Sequence, residues 1–347
     1  MRAAHPGGAR AVTTARSNPA AFHRRSALGL AASVALGAAG AGGARAQGAA
    51  QPYPNRTVRI IVPFAPGGPT DVMARVVANG LNGVLGQPVI VENRAGGGGN
   101  VGVSYAARQA PDGYTLLVTS TGFVVNVSLF RNPGYDPVRD FAPITELGAS
   151  PNVILARPDS GIATIAELIA KATPEKLNVA NPGTGSTPHL TIELLQIRAG
   201  VEFVQIPHNS AALAIQSLLG GTTPVGVTAL PPAHPQIKSG ALRALALTGE
   251  ARWPDLPDVP TMLELGYPGF VSETFQGLFA PAGTPAPIIE RLAQATTTAL
   301  GDPATRTRLQ NAGFGIRASG PRGLAERVAR EVPMWRDLIR RAGIPQE

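Results

Sequence analysis

The chain has 347 residues, with 30 Lys and Arg against 22 Asp and Glu, a formal charge of +8, 44% hydrophobic residues and no cysteine. Zero cysteines exclude disulfides, thiolate catalysis and Cys-ligated metal. Two tryptophans, five tyrosines and no basic run give nucleic-acid binding no support.

The excess of positive charge sits in one place. Residues 1–46 carry six arginines and no acid, and Leu28–Ala41 is an apolar Ala/Gly-rich run followed by Ala44-Arg-Ala46. This pattern predicts a cleaved export signal, with cleavage before Gln47 and Arg24-Arg25 suggesting the twin-arginine route. Removing those arginines leaves 24 basic against 22 acidic residues, a charge of about +2. The mature protein is therefore expected to be periplasmic and free of the membrane.

Next comes Val58–Val62, a β-branched strand that meets Pro63–Gly68 and then the apolar helical positions Val72, Val76 and Leu81. Thr70 or Asp71 is expected to cap that helix. Such a junction turns first-turn N–H groups and the positive end of the helix dipole toward the loop, making Phe64, Ala65, Pro66, Gly67, Gly68, Thr70 and Asp71 candidates for holding a carboxylate or phosphate. A second glycine cluster, Arg94–Gly102, contains G-x-G-x-x-G. It lacks the preceding strand contact and the acid about 20 residues on that a dinucleotide site needs. Gly98, Gly99 and Asn100 instead suggest a second set of backbone donors before a helix over 101–109. Thr119, Ser120 and Thr121 then place hydroxyls at the end of an apolar strand, where α/β sheets bind ligands.

Further strands are expected at 89–92, 115–119, 144–147, 153–156, 177–180, 203–206, 225–228, 242–248 and 277–280. Helices are expected at 165–172, 189–198 and 211–219, then at 287–300, 303–312 and 321–342, the last capped by Ser319. The alternation predicts an α/β protein of mostly parallel sheets with helices on both faces. The strand, polar loop and helix around residue 65 recur around Asn181–His189, where Gly185, Ser186, Thr187 and His189 form the matching candidates and Ser186 or Thr187 caps the helix. Domain 1 is expected at 53–151 plus 275–347 and domain 2 at 152–274, with two crossings forming a hinge that closes like a clamp.

No G-x-S-x-G, P-loop lysine or H-E-x-x-H is present, and the histidines lack metal-ligand spacing, so no cofactor, no metal and no catalysis are expected. A secreted α/β enzyme acting on an organic acid is the alternative. Asn55-Arg-Thr57 and Asn126-Val-Ser128 match a glycosylation acceptor without implying a role.

These residues together define a family. Tyr53-Pro54, Val62–Asp71, Val91–Gly102, Pro111–Leu116, Tyr135–Pro137, Gly240–Thr248, Leu256–Thr261 and Leu278–Pro285 resemble the Bug (TctC-type) solute receptors, extracytoplasmic binding proteins associated with tripartite tricarboxylate transporters. The resemblance implies a two-domain periplasmic-binding-protein-like clamp, a monomer, closing on a small carboxylate, with membrane permease subunits or a signalling protein as partner. It implies that Phe64–Asp71 and Gly97–Asn100 face Gly183–His189. Thr228 stands where many members carry Asp, Pro207–Ser210 replaces a common Pro-Tyr-Lys-Gly, and Phe275-Gln276-Gly277 stands where Trp is frequent. Those departures remove a cation and an anion near the cleft, so a citrate-like ligand does not follow from the family.

Overall fold

The computed structural model describes residues 53–346 apart from Glu175; the expected export segment lies outside the described residues. The first lobe opens with β1 (Val58–Val62), α1 (Pro69–Leu85), β2 (Val89–Asn93), α2 (Asn100–Ala107), β3 (Thr115–Ser120) and α3 (Gly122–Leu129), and leads into the 16-residue β4 (Phe141–Ala156). The second lobe holds α4 (Ile165–Ala172), β5 (Leu177–Asn181), α5 (Thr187–Ala199), β6 (Phe203–Pro207), α6 (Ala211–Leu219), β7 (Val225–Ala229), α7 (Leu230–Lys238) and β8 (Arg243–Leu247). The chain returns through β9 (Glu273–Pro281) to α8 (Ala286–Gly301), α9 (Pro303–Asn311), β10 (Gly315–Ile316) and α10 (Gly320–Arg341).

One strand serves both lobes. β4 pairs with β9 from Phe141 to Pro151, with β7 from Asn152 to Ala156 and with β8 from Val153 to Ala156, giving the order β2-β1-β3-β9-β4-β7-β5-β6. Strands 144–147 and 153–156, expected separately, are thus one element. Proline in a strand removes a ladder donor, and Pro151 sits where the partner strand changes, so the missing N–H interrupts neither ladder. The parallel expectation holds on the outer strands, β1 with β2 and β3, and β5 with β6 and β7. The centre is antiparallel: β9 pairs with β3 and β4, and β4 with β7, β8 and β10. A strand that leaves one lobe and another that returns to it run oppositely, which no local pattern encodes.

Each sheet half is covered on both faces. Val58, Ile60, Met73, Val77 and Leu278 pack with α8 residues such as Leu292 and Ala295 on one side of the first lobe, and Ile61, Phe123, Phe279 and α10 residues Val328 and Trp335 on the other. The second lobe repeats this with Ile154, Val179, Ile192 and Val225 against Val153, Ala180, Ala214 and Leu218. These side chains are almost wholly excluded from water. At about 25 cal/mol per Å², their burial is the largest favourable contribution to the folding of each lobe.

The crossing is polar. Asn152, Thr191, Thr248 and Ser272 are buried together, with Asn152 Nδ2 donating to Thr191 Oγ1 at 2.9 Å and Thr248 Oγ1 receiving the Asn152 N–H at 3.0 Å. Beside it lies an ionic cluster: Arg327 reaches Glu146 and Glu331 at 2.7 Å each and Glu273 at 3.7 Å, Arg317 binds Glu273 at 3.0 Å, and Trp335 Nε1 donates to Glu331. Burial pushes the carboxyls of Glu146 and Glu331 above their ordinary range against the pull of Arg327.

Of three expected caps, two are made differently and one as expected. The N-cap of α1 is Gly68, followed by Pro69, and Asp71 occupies the third helical position; proline leads a helix well because its missing N–H is not needed there. Ser319 stands at the N-cap of α10, but its side chain makes no cap bond and instead accepts the N–H of Glu146 at 3.3 Å. Ser186 does cap α5, accepting the His189 N–H at 3.3 Å.

Candidate functional site

A cavity of about 610 Å³ lies between the lobes. Phe64, Pro69, Gly98, Ser120, Gly122, Asn126, Leu129, Phe130 and Thr274 line it from the first lobe, together with Pro345. Facing them are Pro182, Thr184, Gly185, Ser186, Thr187, Pro188, Asn209, Ala211, Ala229 and Pro232 from the second.

Five helices point their N-termini here. Pro69, Gly122, Thr187 and Ala211 are the first residues of α1, α3, α5 and α6, and Ala229 is the N-cap of α7. First-turn N–H groups have no acceptor inside their own helix, and each terminus carries roughly half a positive charge. No lining residue is charged. With no charged side chain in the lining, the helix dipoles favour an anion there, and the arrangement suits a carboxylate held by N–H and O–H donors.

Two loops are locked in the same way. At α1, the Gly67 N–H donates to Asp71 Oδ2 at 2.9 Å, and that carboxylate also binds Arg75 Nε at 2.9 Å and Asn93 Nδ2 at 2.8 Å. Burial opposes the charge of Asp71, but these hydrogen bonds outweigh it and hold the carboxyl below its usual range. At α5, the Gly185 N–H donates to His189 Nδ1 at 3.2 Å, so the ring carries its proton on Nε2, 3.7 Å from Glu193 Oε1. Burial lowers the His189 pKa to about 4, and the ring is neutral at neutral pH.

Of the residues singled out from sequence, Phe64, Gly98, Ser120, Gly185, Ser186 and Thr187 meet at the cavity. The others do not line it, for identifiable reasons. Ala65, Pro66 and Gly67 are exposed on the outer turn, and Gly68 is half-buried beside it. Thr70 and Asp71 are buried behind the turn. Gly99 packs against Phe64, its absent Cβ position lying 3.2 Å from that ring, and Asn100 accepts from Asn126 Nδ2 at 2.8 Å. Thr119 is on the opposite sheet face from Ser120. Thr121 ties the lobe crossing together, donating to Glu273 O at 3.2 Å and accepting the Phe275 N–H at 3.0 Å. Thr228 is buried and donates to Ala229 O, and His189 acts behind the wall through Gly185.

Sequence reasoning missed α3 and α7, and with them Gly122, Asn126, Leu129, Phe130, Ala229 and Pro232. α3 is apolar nearly all round because it is buried between α2, α10 and the sheet, so it shows no 3.6-residue stripe. α7 carries three prolines, two of them in its first turn where no N–H is required. A signal for Asn126 existed: its tripeptide stood out, and its amide binds Gly98 O at 3.0 Å as well as Asn100.

Two lobes joined by a shared strand, with helix N-termini converging on the intervening cavity, define the periplasmic-binding-protein class. The model of the tripartite tricarboxylate transporter family receptor, TctC, matches residues 73–344, and the chain belongs to that family. It is 38% identical to Protein BugT of Bordetella pertussis over 298 residues, 85% of this chain and 91% of the relative. The structure of the periplasmic binding protein BugD superposes with a TM-score of 0.74 at 37% identity, over 85% of this chain and all of that one. MatC from Rhodopseudomonas palustris, solved with bound malate, superposes with a TM-score of 0.71 at 35% identity, over 83% and 100% of the two chains. The family consists of substrate-binding receptors rather than enzymes, and this chain is one. Among the described residues no helix is long and apolar enough to cross a membrane, and no cluster of His, Asp and Glu is placed to hold a metal ion.

Proposed function

We propose that the chain is an extracytoplasmic receptor that captures a small carboxylate-bearing molecule by clamp closure and delivers it to the membrane subunits of a tripartite tricarboxylate-type transporter or to a signalling protein. The observation that carries this reading is the uncharged cavity bordered by five helix N-termini drawn from both lobes. Without a lining lysine or arginine, the site neutralises a carboxylate by many partial charges, which suits a ligand that must leave again at the membrane.

The two bodies expected at 53–151 plus 275–347 and at 152–274 turn about crossings at Pro151–Asn152 and at the start of β9, whose first residues Glu273 and Thr274 go with the first lobe. A ligand touching both walls binds the closed form better and so shifts the population toward it. The receptor works as a periplasmic monomer after removal of residues 1–46. The malate held by MatC supports the ligand class, and the volume of about 610 Å³ leaves room for a compact acid with ordered water.

Mass spectrometry of small molecules released from natively purified protein tests the reading, backed by thermal melting with a panel of C3 to C6 acids. A bound acid at 100 Kd stabilises the fold by about 2.7 kcal/mol and is recovered unchanged. Failure of every carboxylate to bind, or chemical conversion of one that does, overturns it.

A further inference from the structure

Behind Ser120 and Thr274 the cavity wall holds a buried amide with no protein partner. Gln276 is fully buried on β9, and neither its Nε2 nor its Oε1 has a hydrogen-bond partner among the described residues; the hydroxyl of Thr274, which lines the cavity, has none either. Ser120 lies directly opposite Gln276 in the β3–β9 register, and Thr274 lies two residues before it, so all three share one face of the sheet. On the other flank Gln276 faces Gly148 of β4, which carries no polar side chain and whose side-chain position is filled by the Gly315 backbone and Met73. An unpaired buried amide is destabilising, and such strain persists at sites that a ligand relieves.

From this juxtaposition, and resting on the receptor reading above, we infer that Gln276 is a specificity-determining residue: with Thr274 and Ser120 it forms a neutral subsite that takes a hydroxyl or carboxamide carried by the same ligand whose carboxylate meets the helix N-termini. The chemistry of the pair dictates the class. A carboxamide side chain offers one acceptor and two donors, so it satisfies a group that both donates and accepts. A second carboxylate could accept from Gln276 Nε2 but would leave Oε1 without a donor, whereas a hydroxyl or carboxamide answers both atoms. The two ends of the ligand are thereby read by different means, charge by helix dipoles and a neutral group by side chains.

L-malate and succinate, which differ by one hydroxyl, are the probes, measured by calorimetric titration of the wild-type protein and of Gln276→Leu. The wild type is expected to prefer L-malate by tenfold or more, since a site built for a hydroxyl discriminates strongly against its absence. Gln276→Leu should weaken L-malate about 10- to 100-fold and leave succinate unchanged. Because leucine removes two unpaired polar atoms at similar volume, the ligand-free variant should also melt about 2–4 °C higher, which shows that it folds. Equal affinity for the two acids, or an L-malate preference that survives Gln276→Leu, overturns the subsite while leaving the receptor reading intact. If neither acid binds, the mass spectrum of carried ligand decides: an acid lacking hydroxyl and carboxamide overturns the subsite alone, one bearing either supports it, and no bound acid at all overturns both.

Discussion

The two walls of the cleft use one backbone device with different chemistry in the lock. In each, a glycine with positive φ, +83° at Gly67 and +77° at Gly185, donates its N–H to the third helical residue four positions on. At α1 the acceptor is the Asp71 carboxylate, neutralised by Arg75; at α5 it is the neutral imidazole of His189. A carboxylate at a helix N-terminus spends that terminus's positive potential on the protein itself, whereas a neutral ring leaves it for a ligand. On the proposed reading, the second wall is therefore expected to be the stronger anion site and the more acid-sensitive one.

A variant that strikes the frame shared by both walls should have the largest effect. Arg327→Met leaves Glu146, Glu273 and Glu331 buried without their central cation and should cost about 3–5 kcal/mol in denaturant unfolding. It should weaken both walls together, while variants of either lock touch one.

Acid separates the locks. His189 binds its proton less readily in the folded protein, near pH 4, than in the unfolded chain, near 6.5. Its contribution is complete above pH 6.5 and is lost as pH falls toward 4, on the order of 3 kcal/mol over that window. Protonation of the folded protein, which sets in only near pH 4, also takes away the acceptor for the Gly185 N–H, so carboxylate affinity should hold through the stability window and fall around pH 4. Asp71, with its pKa depressed, keeps its lock until pH falls below the ordinary carboxyl value of 3.8. Unfolding midpoints and calorimetric affinities between pH 4 and 7.5 check this, with His189→Gln expected to flatten both curves.

The glycines sharpen the contrast. A Cβ on Gly185 would collide with Leu129 Cδ1 across the cleft, whereas one on Gly67 meets nothing within 4 Å. Gly185→Ala adds a steric block to backbone strain and should reduce affinity about 100-fold, partly restored by Leu129→Ala. Gly67→Ala carries the strain alone and should cost less than about tenfold. Smallest is Asp71→Asn, which keeps an acceptor for Gly67 but unpairs Arg75. It should lower stability by about 1–2 kcal/mol and change carboxylate affinity by less than about threefold.

What the sequence made legible follows from where its signals are local. The Pro/Gly turn after Val62, the polar loop 181–189 and the Ser186 cap depend on residues within one turn of each other, and they stand where the pattern indicates. The glycines at 67 and 68 drew notice for close ligand approach, yet they shape the turn from outside; what reaches the cavity is Phe64 before them and Pro69 after them. Thr119 faces the opposite side of β3 from Ser120, which strand alternation settles once the register is known, and Thr121 lies past the strand as the N-cap of α3. The antiparallel centre, the single β4 through Pro151 and the buried helix α3 depend on contacts between residues far apart in sequence. Gln276 stood out only as a departure at Phe275–Gly277, and its burial comes from β3 and β4 on either side.

The central claim is that carboxylate is held by backbone donors from both lobes at once. Titration of ¹⁵N-labelled protein with L-malate, followed by backbone amide shifts, addresses it directly. The amides of Thr70, Gly122 and Phe123 in the first lobe and of Thr187 and Ala211 in the second should move together and saturate at one concentration, with no arginine side-chain signal following them. Shifts confined to one lobe, or tracking an arginine instead, would contradict a clamp closed by helix N-termini.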